Sequence, residues 1–151
     1  MSDARPRAQG GRDTVEATAG RMGRQRRVDL KRKSGETLLA GVRWCDSFAS
    51  RLRGLMFRRG LNPGEALILA EAADSRSATS IHMFFVPFAI AAVWIDSRGR
   101  VVDKVLARPW RPFYAARAPA RYVLETDPQF LERIDIGDEV VFEPGPADAG
   151  R

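Results

Sequence analysis

His82 is the sole histidine of this 151-residue chain, and ordinary general acid–base chemistry near neutral pH would have to start with it. Its neighbours Ile81 and Met83 are apolar, the setting of a buried histidine satisfied by one hydrogen bond. Glu125 and Asp96 are the carboxylates that could serve beside it in a hydrolase-like site. Zinc needs three or four ligands, whereas one His and one Cys, Cys45, stand far apart in the chain. No metal and no cofactor are expected. Cys45 precedes a predicted helix whose N-terminus and arginines would favour a thiolate, yet it has no second Cys or His partner, and packing beside Trp44 is the plainer role. Ser75, Ser77 and Ser80 lack the glycine-flanked elbow of a hydrolase nucleophile. Asp96 and Asp103 read as surface charges near Arg98, Arg100 and Lys104.

Binding chemistry is better provided for than catalysis. A recess assembled from His82, Arg108, Trp110, Arg111 and Glu125 would supply stacking, bidentate charge and a hydrogen bond to a small anionic or sugar-like molecule, or to a partner segment. A separate basic run, Arg24, Arg26, Arg27, Lys31, Arg32 and Lys33, could draw nucleic acid or an anionic surface by Coulomb attraction and counterion release. No aromatic interleaves it to stack on bases, so a solubilising arm is the simpler reading.

The elements that must position these residues centre on Ser80–Val102. Ser80 to Val86 can alternate as a strand, with Ile81, Met83 and Phe85 on one face and His82 and Phe84 on the other. Pro87 interrupts it. Phe88 to Ile95 is wholly apolar and should form a central strand covered on both faces. Asp96-Ser97-Arg98-Gly99 then turns the chain back into Arg100 to Leu106 as an antiparallel hairpin. The apolar part of this stretch, Met83 to Ile95, is too short and too proline-broken to span a membrane.

Upstream, Val28 to Arg32 and Thr37 to Trp44 read as a first hairpin around Ser34-Gly35-Glu36. Asp46 or Ser47 can cap a helix with Phe48, Leu52, Leu55 and Met56 on its apolar side, stopped at Gly60. Glu65 to Glu71 is a strand. Arg108 to Tyr114 is proline-interrupted and aromatic, a loop that packs over the fold or binds something. Arg121 to Thr126 is a strand, Asp127-Pro128 opens a short helix through Ile134, and Glu139 to Glu143 closes the fold.

Forty-four per cent hydrophobic content supports one real core. The formal charge of +6 is confined to the start: residues 1–33 carry ten Lys or Arg against four acids, and the remainder carries fifteen of each. The expected organisation is a disordered basic arm over 1–27, one β-rich domain over 28–143 and a flexible tail over 144–151. With one cysteine there is no internal disulfide, and no secretory apolar block precedes residue 28, so the default is a cytoplasmic protein with no transmembrane segment.

In their order, several stretches resemble the family described as domain of unknown function 192, a small uncharacterised domain of bacteria and archaea. They are Arg51-Leu52-Arg53-Gly54-Leu55-Met56-Phe57-Arg58, Ser80-Ile81-His82-Met83-Phe84 with Pro87-Phe88-Ala89-Ile90, and Val93-Trp94-Ile95-Asp96. Pro109-Trp110, Tyr122-Val123-Leu124-Glu125 and Ile136-Gly137-Asp138-Glu139-Val140 follow. The resemblance covers about 37–143 and implies a compact, mostly antiparallel β fold with a short helix, and no established activity. Where the family commonly has Pro-Ile-Asp or Pro-Leu-Asp this chain has Ala89-Ile90-Ala91, so a polar site served by that acid would be altered or absent. The fold expected is therefore mainly β (α+β), an antiparallel sandwich or barrel-like domain with one or two short helices. The function expected is a binding or accessory module, with a His82 hydrolase and an arm-borne nucleic-acid or membrane-surface role as alternatives.

Overall fold

A computed structural model describes residues 25–46 and 55–146. The chain folds as a seven-stranded curled sheet, a half-barrel with almost no helix among the described residues. The strands are β1 (Arg27–Arg32), β2 (Thr37–Cys45), β3 (Ala66–Ser75), β4 (Ile90–Ile95), β5 (Val101–Ala107), β6 (Ala120–Thr126) and β7 (Val140–Pro144). Their order across the sheet is β5-β4-β6-β3-β2-β1-β7.

Strand alternation sorts the apolar residues into two cores, one on each face. Val28, Leu30, Ala66, Ile68, Ala91, Val93, Ile95 and Leu124 face the concave side, which Phe130 and Ile134 plug. Leu67, Leu69, Ile90, Ala92, Trp94 and Val123 face the convex side, which Leu55, Ile81, Met83, Val86 and Ala116 cover. All six residues of β4 are buried because their side chains divide between the two cores. The plug is a 3-10 helix, Pro128–Glu132, started by Asp127, whose carboxylate accepts from Gln129 N–H at 2.8 Å. Lys104 Nζ donates to the carbonyls of Leu131 and Ile134 at 2.9 and 2.6 Å, tying the plug to β5.

Several expectations need correction. Ser80–Val86 is not a strand: Ile81 makes a single bridge to Tyr114, and the chain then turns at Phe84 and Phe85, because the donors of Ile81 and Met83 bond the 111–114 loop. The next strand starts at Ile90, two residues later than expected, and β4 lies second from the edge, paired to β5 and β6, not at the sheet's centre. The sheet is mostly antiparallel, as expected, with one parallel pair among the named strands, β2 and β3, through Arg43↔Leu67, Trp44↔Ile68 and Cys45↔Leu69. The short helix after Pro128 is 3-10. Asp103 is no surface charge: it is buried, and its carboxylate accepts from the N–H groups of Lys104 and Arg117, both at 2.9 Å. Of the helix expected from Ser47 to the stop at Gly60, residues 47–54 lie outside the described residues, and the described end is helical only at Leu55 before a turn at Met56 and Phe57. Most of the 1–27 arm and the end of the tail also lie outside the described residues.

The curl closes where the β4–β5 turn meets β7. Val101 N–H donates to Asp138 O at 2.9 Å, Gly137 N–H to Val101 O at 2.8 Å and Val140 N–H to Gly99 O at 2.8 Å. Gly99 has φ +84°, and a Cβ there would lie 2.3 Å from the Val140 carbonyl oxygen. Gly99→Ala is expected to cost about 2 kcal/mol or more, from the left-handed backbone plus the backbone clash. A urea midpoint unchanged from wild type would show that the closure tolerates a side chain.

A second test concerns the Arg58–Glu65 pair, in which both guanidinium Nη atoms donate to the carboxylate, Nη2 at 2.7 Å. The hydrogen bond from Arg58 holds the Glu65 carboxyl at about 2, against an ordinary 4.5. A depressed folded-state pKa contributes stability above the unfolded value and loses it as pH falls toward the folded one. Wild type should therefore exceed Glu65→Gln in stability at pH 7, and the gap should close between pH 4.5 and 2; denaturation midpoints across that range are the measurement.

Candidate functional site

Three segments meet on the convex side: the chain after Leu55, the 81–90 loop and the 107–114 loop. Their positions are set by main-chain bonds. Ile81 and Tyr114 exchange N–H···O bonds at 2.9 and 2.8 Å, Met83 N–H donates to Arg111 O at 2.8 Å, Trp110 N–H to Met83 O at 3.0 Å and Phe57 N–H to Phe85 O at 2.8 Å. Buried Ile81, Met83 and Val86 anchor the 81–90 loop in the convex core. With those three side chains facing inward, their neighbours face out.

What faces out is aromatic. Phe57 is 77 % exposed, Phe113 62 %, Trp110 54 %, and Phe84 and Phe85 45 % each. Phe85 is the hinge of a ridge, with its ring centroid 5.1 Å from that of Phe57 and 5.7 Å from that of Trp110. Phe57, Phe85 and Trp110 have φ of +62°, +58° and +63°, and among the described residues they are the only non-glycine residues with positive φ. A side chain in that region costs about 1–2 kcal/mol, so the fold holds all three rings of the ridge in conformations that local energetics oppose.

The chemistry around the ridge is one-sided. Residues 55–60, 81–90 and 107–114 contain no Asp, Glu, Asn, Gln, Ser or Thr. Their polar side chains are Arg58, Arg59, His82, Arg108, Arg111 and Tyr114. Arg58 is paired to Glu65, while Arg59, Arg108 and Arg111 form no ion pair among the described residues. The Arg111 guanidinium lies 5.3 Å over the Tyr114 ring, and the Tyr114 hydroxyl accepts from Arg108 N–H at 2.8 Å. His82 is half-buried, with its ring centroid 5.3 Å from that of Phe84, and its Nδ1 accepts from Phe84 N–H at 3.3 Å. The surface offers cationic donors and π faces, and almost no acceptors.

Of the residues singled out from sequence, Trp110 and Arg111 bond Met83 through their backbones, one residue from His82, and Arg108 adjoins them. Glu125 is elsewhere in depth: it is 1 % exposed on β6, in register with Leu67 of β3 and Ala92 of β4, on the same convex face as Cys45 and Arg43. Cys45 is buried, and desolvation pushes its thiol up, outweighing the opposing pull of the Arg43 charge, which disfavours a reactive thiolate. Ala91 is fully buried in the concave core, so the position where the family commonly has an acid points away from the His82 side.

The basic run is largely engaged within the fold. Lys31 pairs with Glu143, Arg32 with Glu36 at 3.0 Å and Asp138 at 2.6 Å, and Lys33 with Glu139 at 3.0 Å. Arg26 sits 4.3 Å over the Trp44 ring, and Arg27 Nη1 donates to Gly41 O at 2.8 Å. Arg24 lies outside the described residues. Sequence reasoning missed Phe57 and Phe85, because a strand over 80–86 puts Phe85 with the core residues Ile81 and Met83. Pro87 was the available signal that the alternation fails there.

A curled β half-barrel with an aromatic, acid-free ridge over its convex side is the class of protein this structure defines. Within that class, residues 30–142 match the model of domain of unknown function 192, described as "Uncharacterized ACR", and the chain belongs to that family. It is 35 % identical over 116 residues to the "UPF0127 protein" of Thermococcus sibiricus, covering 76 % of this chain and 73 % of that one. It is 33 % identical to "UPF0127 protein PF1050" of Pyrococcus furiosus, over 70 % of this chain and 90 % of that one. Two crystal structures share the fold. One, from Sinorhizobium meliloti 1021, is provisionally described as a transcription regulator (TM-score 0.66, 24 % identity, 78 % of this chain and 93 % of that one). The other is a protein of unknown function from Novosphingobium aromaticivorans (TM-score 0.64, 23 % identity, 76 % and 83 %).

The left-handed positions make a direct test of the ridge. Phe57→Gly removes a ring that is mostly in water and relieves its backbone, so stability should hold or rise by up to about 1 kcal/mol. A clear drop in urea midpoint would mean that the Phe57 ring packs as core.

Proposed function

We propose that this chain is a binding module that recognises a small anionic molecule on the loops around His82, with Trp110 as a stacking face and Arg108 and Arg111 as the charged rim. The observation that carries this reading is the coincidence of exposure and backbone cost: the three rings of the ridge are, among the described residues, the three non-glycine residues in left-handed conformation. Backbone strain at exposed side chains is a common mark of sites selected for something other than stability. A sugar-like ligand fits less well, since its hydroxyl donors need carboxylate or amide acceptors that these segments lack.

A hydrolase pairing His82 with Glu125 is less favoured, because a carboxylate 1 % exposed on the sheet has poor access to a substrate held at the ridge. A role for the basic run is less favoured because Lys31, Arg32 and Lys33, half of its six residues, are ion-paired to Glu143, Asp138 and Glu139.

The test is an amide chemical-shift titration of the full chain with phenyl phosphate, with glucose as the neutral comparison. Shifts at His82, Phe85, Arg108, Trp110 and Arg111 with phenyl phosphate alone are expected. A response that avoids these residues, or that glucose reproduces, would refute the reading.

A further inference from the structure

We infer that the aromatic ridge docks on the surface of an anionic phospholipid bilayer, the anion at Arg108 and Arg111 being a lipid phosphate. This rests on the ridge being a recognition surface and names what it recognises. Phe57, Phe85 and Trp110, each 45 % exposed or more with their rings in contact through Phe85, form a contiguous exposed apolar patch of the kind that marks an interaction site. Phe84 and Phe113 add further exposed rings on the same loops.

The surrounding chemistry selects the occupant. Arg59, Arg108 and Arg111, unpaired by any acid among the described residues, are complementary to phosphate, which a guanidinium can bind bidentately. The three segments contain no Asp or Glu to repel an anionic surface. They also contain no Asn, Gln, Ser or Thr, so the amide and aliphatic hydroxyl groups that commonly read base edges or satisfy a peptide backbone are missing. A partner that presents phosphate outside and hydrocarbon beneath, and asks for no directional hydrogen bonds from its apolar part, is a lipid leaflet. Phe and Trp suit the headgroup level of such a leaflet.

The rings are also poorly arranged for a run of nucleobases. Phe85 and Trp110 meet at 68°, edge to face, and Phe57 and Phe85 are tilted by 31°, which does not form the coplanar platform that successive bases use. No helix among the described residues is long and apolar enough to cross a membrane. Docking through loop tips would make the association peripheral and reversible, strengthened by anionic lipid and weakened by salt.

The experiment is co-sedimentation and tryptophan fluorescence of the full chain with vesicles of phosphatidylcholine, pure or mixed with phosphatidylglycerol. Binding to the mixed vesicles is expected, with Trp110 quenched by lipids brominated on the acyl chain. The pair Phe57→Gly and Phe85→Gly, and separately Arg108→Gln with Arg111→Gln, should each weaken partitioning by about tenfold or more. Trp110→Gly should abolish the quenching, which identifies the indole responsible without depending on the other variants. Undiminished binding of the Phe57/Phe85 double variant would mean adsorption through the basic arm and would overturn the inference, as would binding without quenching. If phenyl phosphate shifts the ridge amides while vesicles do not bind, the site reading stands and the lipid inference falls. If neither ligand engages the ridge, both fall. A single-stranded RNA that binds, loses affinity in the same variants and has no vesicle counterpart would replace lipid with nucleic acid.

Discussion

The site depends on a small set of main-chain hydrogen bonds between three segments that are not strands. Ile81 and Tyr114 bond reciprocally, Met83 donates to Arg111 and accepts from Trp110, and Phe85 accepts from Phe57. These bonds satisfy backbone groups that would otherwise be stranded beside an apolar core. They also fix the direction of every side chain between them: once Ile81, Met83 and Val86 fill the convex core, His82, Phe84 and Phe85 must face outward. The left-handed residues follow from the same demand, because the loops have to reverse sharply while keeping their bonds.

A sheet with both faces buried needs a cover on its convex side, and here the cover and the site are the same segments. The concave face is closed by the 3-10 plug and by the approach of the β4–β5 turn to β7 at Gly99. The division also explains why Ala91 is silent with respect to His82. It lies on β4 facing the plugged interior, on the other side of the sheet from the ridge.

Charge is distributed in a way that composition alone hides. The chain is basic overall, yet the described basic residues of β1 and the following turn are matched to acids of β7 and its preceding turn, a pairing that holds an edge strand in place. Arg59, Arg108 and Arg111, on the segments of the ridge, form no ion pair among the described residues.

The strands were legible because their information is local. Val28-Asp29-Leu30 alternates, Ile90–Ile95 is uniformly apolar, Gly99 supplies a turn, and Pro128 after Asp127 starts a helix; each of these settles within a few residues, and the structure has each element within two residues of its expected start. The family was legible as well, since its motifs are ordered along the same 37–143 stretch that the match to 30–142 spans. The exceptions are non-local. Ser80–Val86 has a strand's alternation, but its donors are taken by residues 111 and 114, about thirty positions away. The parallel pairing of β2 with β3 depends on a crossover whose path no dipeptide encodes. Of the candidate site, sequence assembled Arg108, Trp110 and Arg111 with His82, because three of them share one loop and their chemistry is complementary. It added Glu125, whose depth in the sheet follows from register, and it omitted Phe57 and Phe85. Only the tertiary structure decides those, because exposure and a positive φ at a phenylalanine are set by which distant backbone groups the loop must satisfy.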